Sequence, residues 1–208
     1  MLVIFTLIIL MFSIMIHEIA HGALAYSLGD PTAKYMGRLT LNPLKHLDPV
    51  GSVLVPLSLA FLGAPLIGWA KPVPINPNNF RDKKWGELKV SFAGPGSNLF
   101  IALFFGILLR ILLYLGFSGT FIQATGYIVF INLLLALFNL IPIPPLDGSH
   151  ILFSLIPSSE QFRIVLSRYG FFILIFIIFF FPWFFDILFY IIRSIFLVLT
   201  GIPLVSAL

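Results

Sequence analysis

From Met1 to Leu28 the chain is apolar except for a few small polar residues, Tyr26 and the group at 17–21. That pattern predicts a membrane-spanning helix about 42 Å long at 1.5 Å per residue. Two further runs read the same way. Residues 92–115 are entered through a Pro-Gly break at 95–96 and carry Arg110 near their far end, and residues 120–141 follow the turn 116–119 and stop at Pro142. Residues 146–157 predict a short helix, and the mildly amphipathic 158–169 suit an interfacial position. The stretch 170–200 is apolar almost throughout, with Pro182 and Asp186 either dividing it into two short pieces or kinking one long one. Arg110 and Arg193, near helix ends, read as reaching to lipid headgroups.

Residues 29–90 break this pattern. Two polar, turn-rich pieces, 29–50 and 69–90, flank an apolar stretch at 51–68 that is interrupted by Pro56, Gly63 and Pro65. Alternation over Tyr35–Leu41 permits a short strand, while the proline-spaced run 71–77 suits an edge or irregular backbone. Lys71, Arg81, Lys83, Lys84 and Lys89 put the 69–90 loop on the cytoplasmic side by the positive-inside rule. Segment 92–115 then runs outward and 120–141 returns, leaving Asp147 near the cytoplasmic face. For His17 and His21 to share that depth, residues 1–28 must run inward. Positions 29 and 90 then lie on one side, so 51–68 is expected to dip in and return as a re-entrant segment or hairpin. The fold expected is an all-α polytopic membrane protein forming a single domain over 1–208. It would be a bundle of about 4–6 transmembrane helices, with the re-entrant segment and short membrane-associated strands.

Composition strengthens the membrane assignment. Of 208 residues, 60% are hydrophobic and 10% charged, against roughly a quarter charged in soluble domains. The absence of cysteine excludes thiolate metal sites and disulfides. A cleaved signal peptide is the competing reading of the first 20 residues. It fits poorly, since no Lys or Arg precedes Lys34 and cleavage near Ala20 or Ala23 would cut into the group at 17–21.

That group is His17-Glu18-Ile19-Ala20-His21, an HExxH motif inside an apolar helix. Residues four apart share a helix face, so both imidazoles can reach one zinc ion with Glu18 beside it as a base. Ionisable groups at membrane depth are costly and usually functional. A catalytic zinc ordinarily takes three protein ligands and a water. Asp147 is the candidate third ligand, because it ends the proline-stiffened run 139–148 and precedes Gly148, which permits a close approach. Its alternative role is the N-cap of a helix starting at Gly148.

These pieces resemble the site-2 protease family, the M50 intramembrane zinc metalloproteases, and within it the compact prokaryotic members that lack a PDZ domain. The matching residues are HEIAH at 17–21, AGPGSN at 93–98 and NLIPIPPLDG at 139–148, with 46–57 and 68–76 similar to the insertion of the compact subgroup. The resemblance runs from residue 10 to about 155. It implies one Zn²⁺ on His17, His21 and Asp147 and a catalytic base at Glu18. It also implies functional asparagines at Asn98 and Asn139.

The expected activity is hydrolysis of a peptide bond within or near a transmembrane helix of a membrane-protein substrate, at a site nearer the cytoplasmic side of a prokaryotic plasma membrane. Asn139 either helps to neutralise the oxyanion or makes a helix–helix hydrogen bond. Asn98 is expected to anchor substrate or a neighbouring loop. His150 is expected to support the ligands or face a polar loop, and His46 to steady its turn or swing toward the metal. The partners expected are a transmembrane protein or peptide and the lipid bilayer, with room for a homodimer and no nucleic acid. The rivals are an inactive scaffold, a metal transporter using the same His/Asp cluster, and a soluble-side peptidase tethered by residues 1–28. The intact catalytic set weighs against the first, the lack of internal repeats against the second, and the position of Asp147 beside a spanning segment against the third.

Overall fold

A computed structural model describes residues 2–54, 71–156 and 160–207, with Ser58 and Phe61. Its helices are α1 (Leu2–Ser27), α2 (Thr32–Tyr35), α3 (Gly86–Tyr114), α4 (Thr120–Asn139), α5 (Asp147–Leu155), α6 (Glu160–Phe180), α7 (Pro182–Thr200) and α8 (Leu204–Ala207). Five of them, α1, α3, α4, α6 and α7, are long and apolar enough to cross a membrane.

Helix α3 is the centre of the bundle, packing on α1, α4, α5 and α7. The core along it includes Ala102 and Leu109 of α3, Val129 and Leu133 of α4, and Ile192 and Phe196 of α7, all fully buried. Lipid tails are as apolar as these side chains, so burial alone gives helices in a membrane little reason to associate. Close packing and buried polar contacts do more. One such contact set ties three helices together. Asn98 of α3 donates from Nδ2 to Asn132 Oδ1 of α4 (2.8 Å) and to the Ser13 carbonyl of α1 (3.3 Å). Asn132 in turn donates to Ser13 Oγ (3.0 Å).

Several expectations are corrected. No β-strand occurs among the described residues, so the membrane-associated strands are not part of the fold. Tyr35 ends α2 instead of opening a strand, and Gly37 turns the chain at φ +63°. Arg38 N–H then returns to the Ala33 carbonyl (2.9 Å). Residues 71–76 have no regular secondary structure and pair with no ladder, and Pro72 and Pro74 have no N–H to offer one. The 93–96 stretch does not break the chain either. Helix α3 starts at Gly86 and runs through Pro95, which is buried in its interior.

Residues 160–169 are the first half of α6 rather than a separate interfacial piece. Pro182 separates α6 from α7 by occupying the first helical turn of the latter, where its missing N–H costs nothing. Arg110 does not reach outward alone, since its guanidinium donates to the Val198 carbonyl near the end of α7 (2.7 Å). The re-entrant segment expected at 51–68 lies mostly outside the described residues; Pro49–Leu54 form one π-helical turn.

Candidate active site

The histidines of α1 are held from behind by one face of α3. Val90, Gly94 and Asn98 follow one another at four-residue steps along that face. His21 Nδ1 lies 2.7 Å from the Val90 carbonyl, and His17 Nδ1 lies 2.6 Å from Asn98 Oδ1. Both partners are acceptors, because the Asn98 amide nitrogen is committed to Asn132 and Ser13. Each imidazole therefore carries its proton on Nδ1, and each Nε2 presents a lone pair. Between these two residues Gly94 lies flush against the rings. A Cβ there would stand 2.6 Å from His17 Nε2 and closer still to His21 Nε2.

Asp147 arrives from the other side. Leu146 is extended (φ −79°, ψ 153°) and occupies the N-cap position, so Asp147 is the first residue of α5 and makes no capping hydrogen bond. Its Oδ2 stands 3.1 Å from His17 Nε2 and 3.3 Å from His21 Nε2, while the two Nε2 atoms are 3.1 Å apart. Oδ2 is buried and has no hydrogen-bond donor. Two imidazole nitrogens and a carboxylate oxygen thus converge, a donor set that suits a metal cation. The spacing fits one. Ligand atoms about 2.0–2.1 Å from a tetrahedral zinc lie about 3.3–3.4 Å from one another. These three side chains form the metal-holding group found among the described residues.

The group opens on a cavity of about 380 Å³ whose walls include Glu18, Glu87, Asn139 and His150. The proline-rich strap at 71–77 closes one side through Pro72, Val73, Ile75 and Pro77. Glu18 Oε2 accepts the Val73 N–H at 2.7 Å. Asn139 uses one Nδ2 hydrogen on the Leu135 carbonyl (2.9 Å), which leaves Oδ1 and the second Nδ2 hydrogen uncommitted. His150 Nδ1 pairs with Glu87 Oε1 at 3.1 Å on the cavity wall and is not part of the metal-holding group. His46 is buried apart from the cavity, with Nε2 on the Thr40 carbonyl (2.9 Å).

Asn98 is fully buried behind His17 and is not part of the cavity lining. Gly94, Asn132 and Ser13 were not singled out in the sequence. The AGPGSN run contains the first, but nothing in it says that a ring presses on the missing side chain. Below the strap, Asp30 is buried just beyond α1. Burial opposes its ionisation, but the Asn76 amide, the Thr32 hydroxyl and the Asn79 side-chain amide outweigh it and hold the carboxyl below its usual range.

A bundle of membrane-crossing helices that converges two imidazoles and a carboxylate beside a glutamate, with a cavity at hand, defines a metal-dependent hydrolase built into the membrane. The comparisons with known proteins agree. Residues 115–177 match the family model of Peptidase family M50. YwhC of Bacillus subtilis (strain 168) is 41% identical over 175 residues, covering 80% of this chain and 76% of that protein. Rip2 of Mycobacterium tuberculosis (strain H37Rv) is 31% identical over 136 residues, covering 65% of this chain and 51% of that protein. Rip2 of Mycolicibacterium smegmatis shows the same identity and coverage. The names of these relatives provisionally assign them to the zinc metalloproteases. No solved structure matches the chain. The chain belongs to peptidase family M50 and is an integral membrane enzyme of the zinc metalloprotease class.

Proposed function

We propose that this protein is a zinc-dependent endopeptidase that cuts a peptide bond within or near the transmembrane helix of a membrane-protein substrate. The observation that carries the reading is the triangle of His17 Nε2, His21 Nε2 and Asp147 Oδ2, three candidate ligand atoms 3.1–3.3 Å from one another. Its dimensions and its mixed nitrogen–oxygen donor set suit Zn²⁺, one per chain. When bound there, zinc supplies a Lewis acid and lowers the pKa of water at its open position.

The remaining work falls to the chain's own groups. Glu18 Oε2 is occupied by the Val73 amide, so Oε1 is the atom that takes the proton from attacking water and returns it to the leaving amine nitrogen. Asn139 lines the cavity and supports an orienting contact to substrate. Its Oδ1 can accept from a substrate N–H, and its second Nδ2 hydrogen can donate to an oxyanion. His150 and Glu87 set the polarity of one wall. The substrate must present an unwound segment, because a helical peptide bond hides its carbonyl in a hydrogen bond. The basic 69–90 loop supports a cytoplasmic-side site in a prokaryotic plasma membrane. A homodimer is compatible with this arrangement but is not required by it.

The test is zinc analysis of purified protein together with cleavage of a membrane-embedded substrate by wild type and Glu18→Gln. Retained zinc with lost cleavage is expected. Equal cleavage by both forms overturns the proposal.

A further inference from the structure

Arg38 is buried, yet among the described residues no carboxylate pairs with it and its Nε has no hydrogen-bond partner. A guanidinium withdrawn from water without a counter-ion is costly. The described groups that receive it are two carbonyls of the strap. Nη2 donates to Lys71 O at 2.6 Å and to Pro72 O at 3.3 Å. The next backbone group along the chain is the Val73 N–H, which donates to Glu18 Oε2 at 2.7 Å.

The rest of the strap is fastened just as firmly. Lys71 N–H donates to the His46 carbonyl (3.0 Å), and Asn76 N–H donates to Asp30 Oδ2 (2.7 Å). Proline removes the donors at 72, 74 and 77. Of the seven strap residues only Lys71, Val73, Ile75 and Asn76 have an N–H, and three of these four are committed. A strap with so few free donors is poorly equipped to pair with a substrate strand. It is well equipped to hold one N–H still.

We propose that Arg38 is a positioning residue for Glu18, acting through the strap: by gripping the carbonyls on either side of the Pro72 nitrogen it fixes the Val73 N–H, which orients the Glu18 carboxylate. This rests on the reading of Glu18 as the general base. With Oε2 pinned by the amide, Oε1 is the oxygen presented to water, and the carboxylate loses the rotation that would present both. The contact is to a carboxylate, so it is stronger than an amide–carbonyl bond. Losing an orienting bond of this kind is expected to lower turnover about tenfold or more.

Three forms test it: Arg38→Met, Arg38→Lys, and a protein in which the Val73 residue is replaced by its α-hydroxy acid, so that an ester oxygen stands where the N–H was. Metal content, kcat and KM on a membrane-embedded substrate, and hydrogen exchange at the Val73 amide are measured for each form that carries the amide. The expected result is retained metal, an unchanged KM, and a kcat lowered about tenfold in both Arg38→Met and the ester form. Arg38→Lys should recover most of that loss, and Val73 exchange should quicken in Arg38→Met. Wild-type kcat in the ester form overturns the proposal, as does a loss confined to KM or an unaltered Val73 exchange rate in Arg38→Met. If Arg38→Met does not fold, the ester form tests the Val73 contact and Arg38→Lys tests the grip of Arg38: Val73 exchange faster than in wild type is expected there, and an unaltered rate overturns the proposal. Glu18→Gln separates the two levels. Cleavage by Glu18→Gln defeats the protease reading, whereas an inactive Glu18→Gln beside a fully active ester form defeats only the role of Arg38.

Discussion

Gly94→Ala is the smallest perturbation that strikes the metal position. In an ordinary helix this change stabilises, by about 0.5–1 kcal/mol, through lost backbone entropy. Here the new methyl would stand 2.6 Å from His17 Nε2, far inside the contact distance of about 3.5 Å for carbon against a ring atom. It would lie closer still to His21 Nε2, so one group would crowd two ligand atoms that are themselves 3.1 Å apart. The rings cannot swing away freely, because their Nδ1 atoms are bonded to Val90 and Asn98 on the same helix. Overpacking of this kind costs about 1–3 kcal/mol. Spent on the metal-holding geometry, that is about a 5- to 150-fold loss of zinc affinity at 1.4 kcal/mol per tenfold.

Competition against a chromophoric chelator in detergent micelles measures the affinity, and Gly96→Ala is the internal control. Its Cβ would meet only the Phe92 ring, at 3.3 Å, so its zinc affinity should stay within about threefold of wild type. A Gly94→Ala protein that binds zinc as tightly as the Gly96→Ala control refutes the claim that α3 leaves this space for the metal.

Three other outcomes are expected. Asn98→Ala removes the acceptor that keeps the His17 proton on Nδ1 and should lower metal affinity about 10–100-fold, by the same chelator assay. Asp30 has a carboxyl held below its usual range, so its contribution to stability is complete above the unfolded value of about 3.9 and fades as pH falls through the lower folded value. Asp30→Asn should therefore lower Tm at neutral pH while flattening its decline below about pH 4. Gly170→Leu places a side chain where even a Cβ would lie 2.5 Å from the Pro144 carbonyl. It should destabilise the protein by about 1–3 kcal/mol in thermal melts and lower zinc occupancy by shifting the loop that carries Asp147.

The spanning helices and the convergence of His17, His21 and Asp147 were legible because they rest on local signals: long apolar runs, a four-residue helical spacing and a proline-stiffened loop. The errors came where a local signal met a tertiary constraint. Alternation at 35–41 looked like a strand, but Gly37 turns the chain there and Arg38 is buried against the strap. Pro95 looked like a break, yet the packing around α3 carries the helix through it. Asn98 looked available to substrate because nothing in the sequence shows which side of a helix faces a neighbour. Its partners, Ser13 and Asn132, lie 85 and 34 positions away. The link from Arg38 through the strap to Glu18 was invisible for the same reason, since it depends on where two carbonyls and one N–H come to rest.

The metal-holding corner draws on three helices made at widely separated moments: α1 brings the imidazoles, α3 their Nδ1 acceptors, and α5 the carboxylate. A nascent chain inserted only as far as α3 has two neutral lone pairs backed by glycine, but no negative charge to complete the site. It should hold zinc weakly and cut nothing. Arming then waits for residue 147 to be translated, inserted and packed against α3. The metal-holding corner is therefore a property of the whole packed set α1, α3 and α5, and no shorter run of the chain contains it.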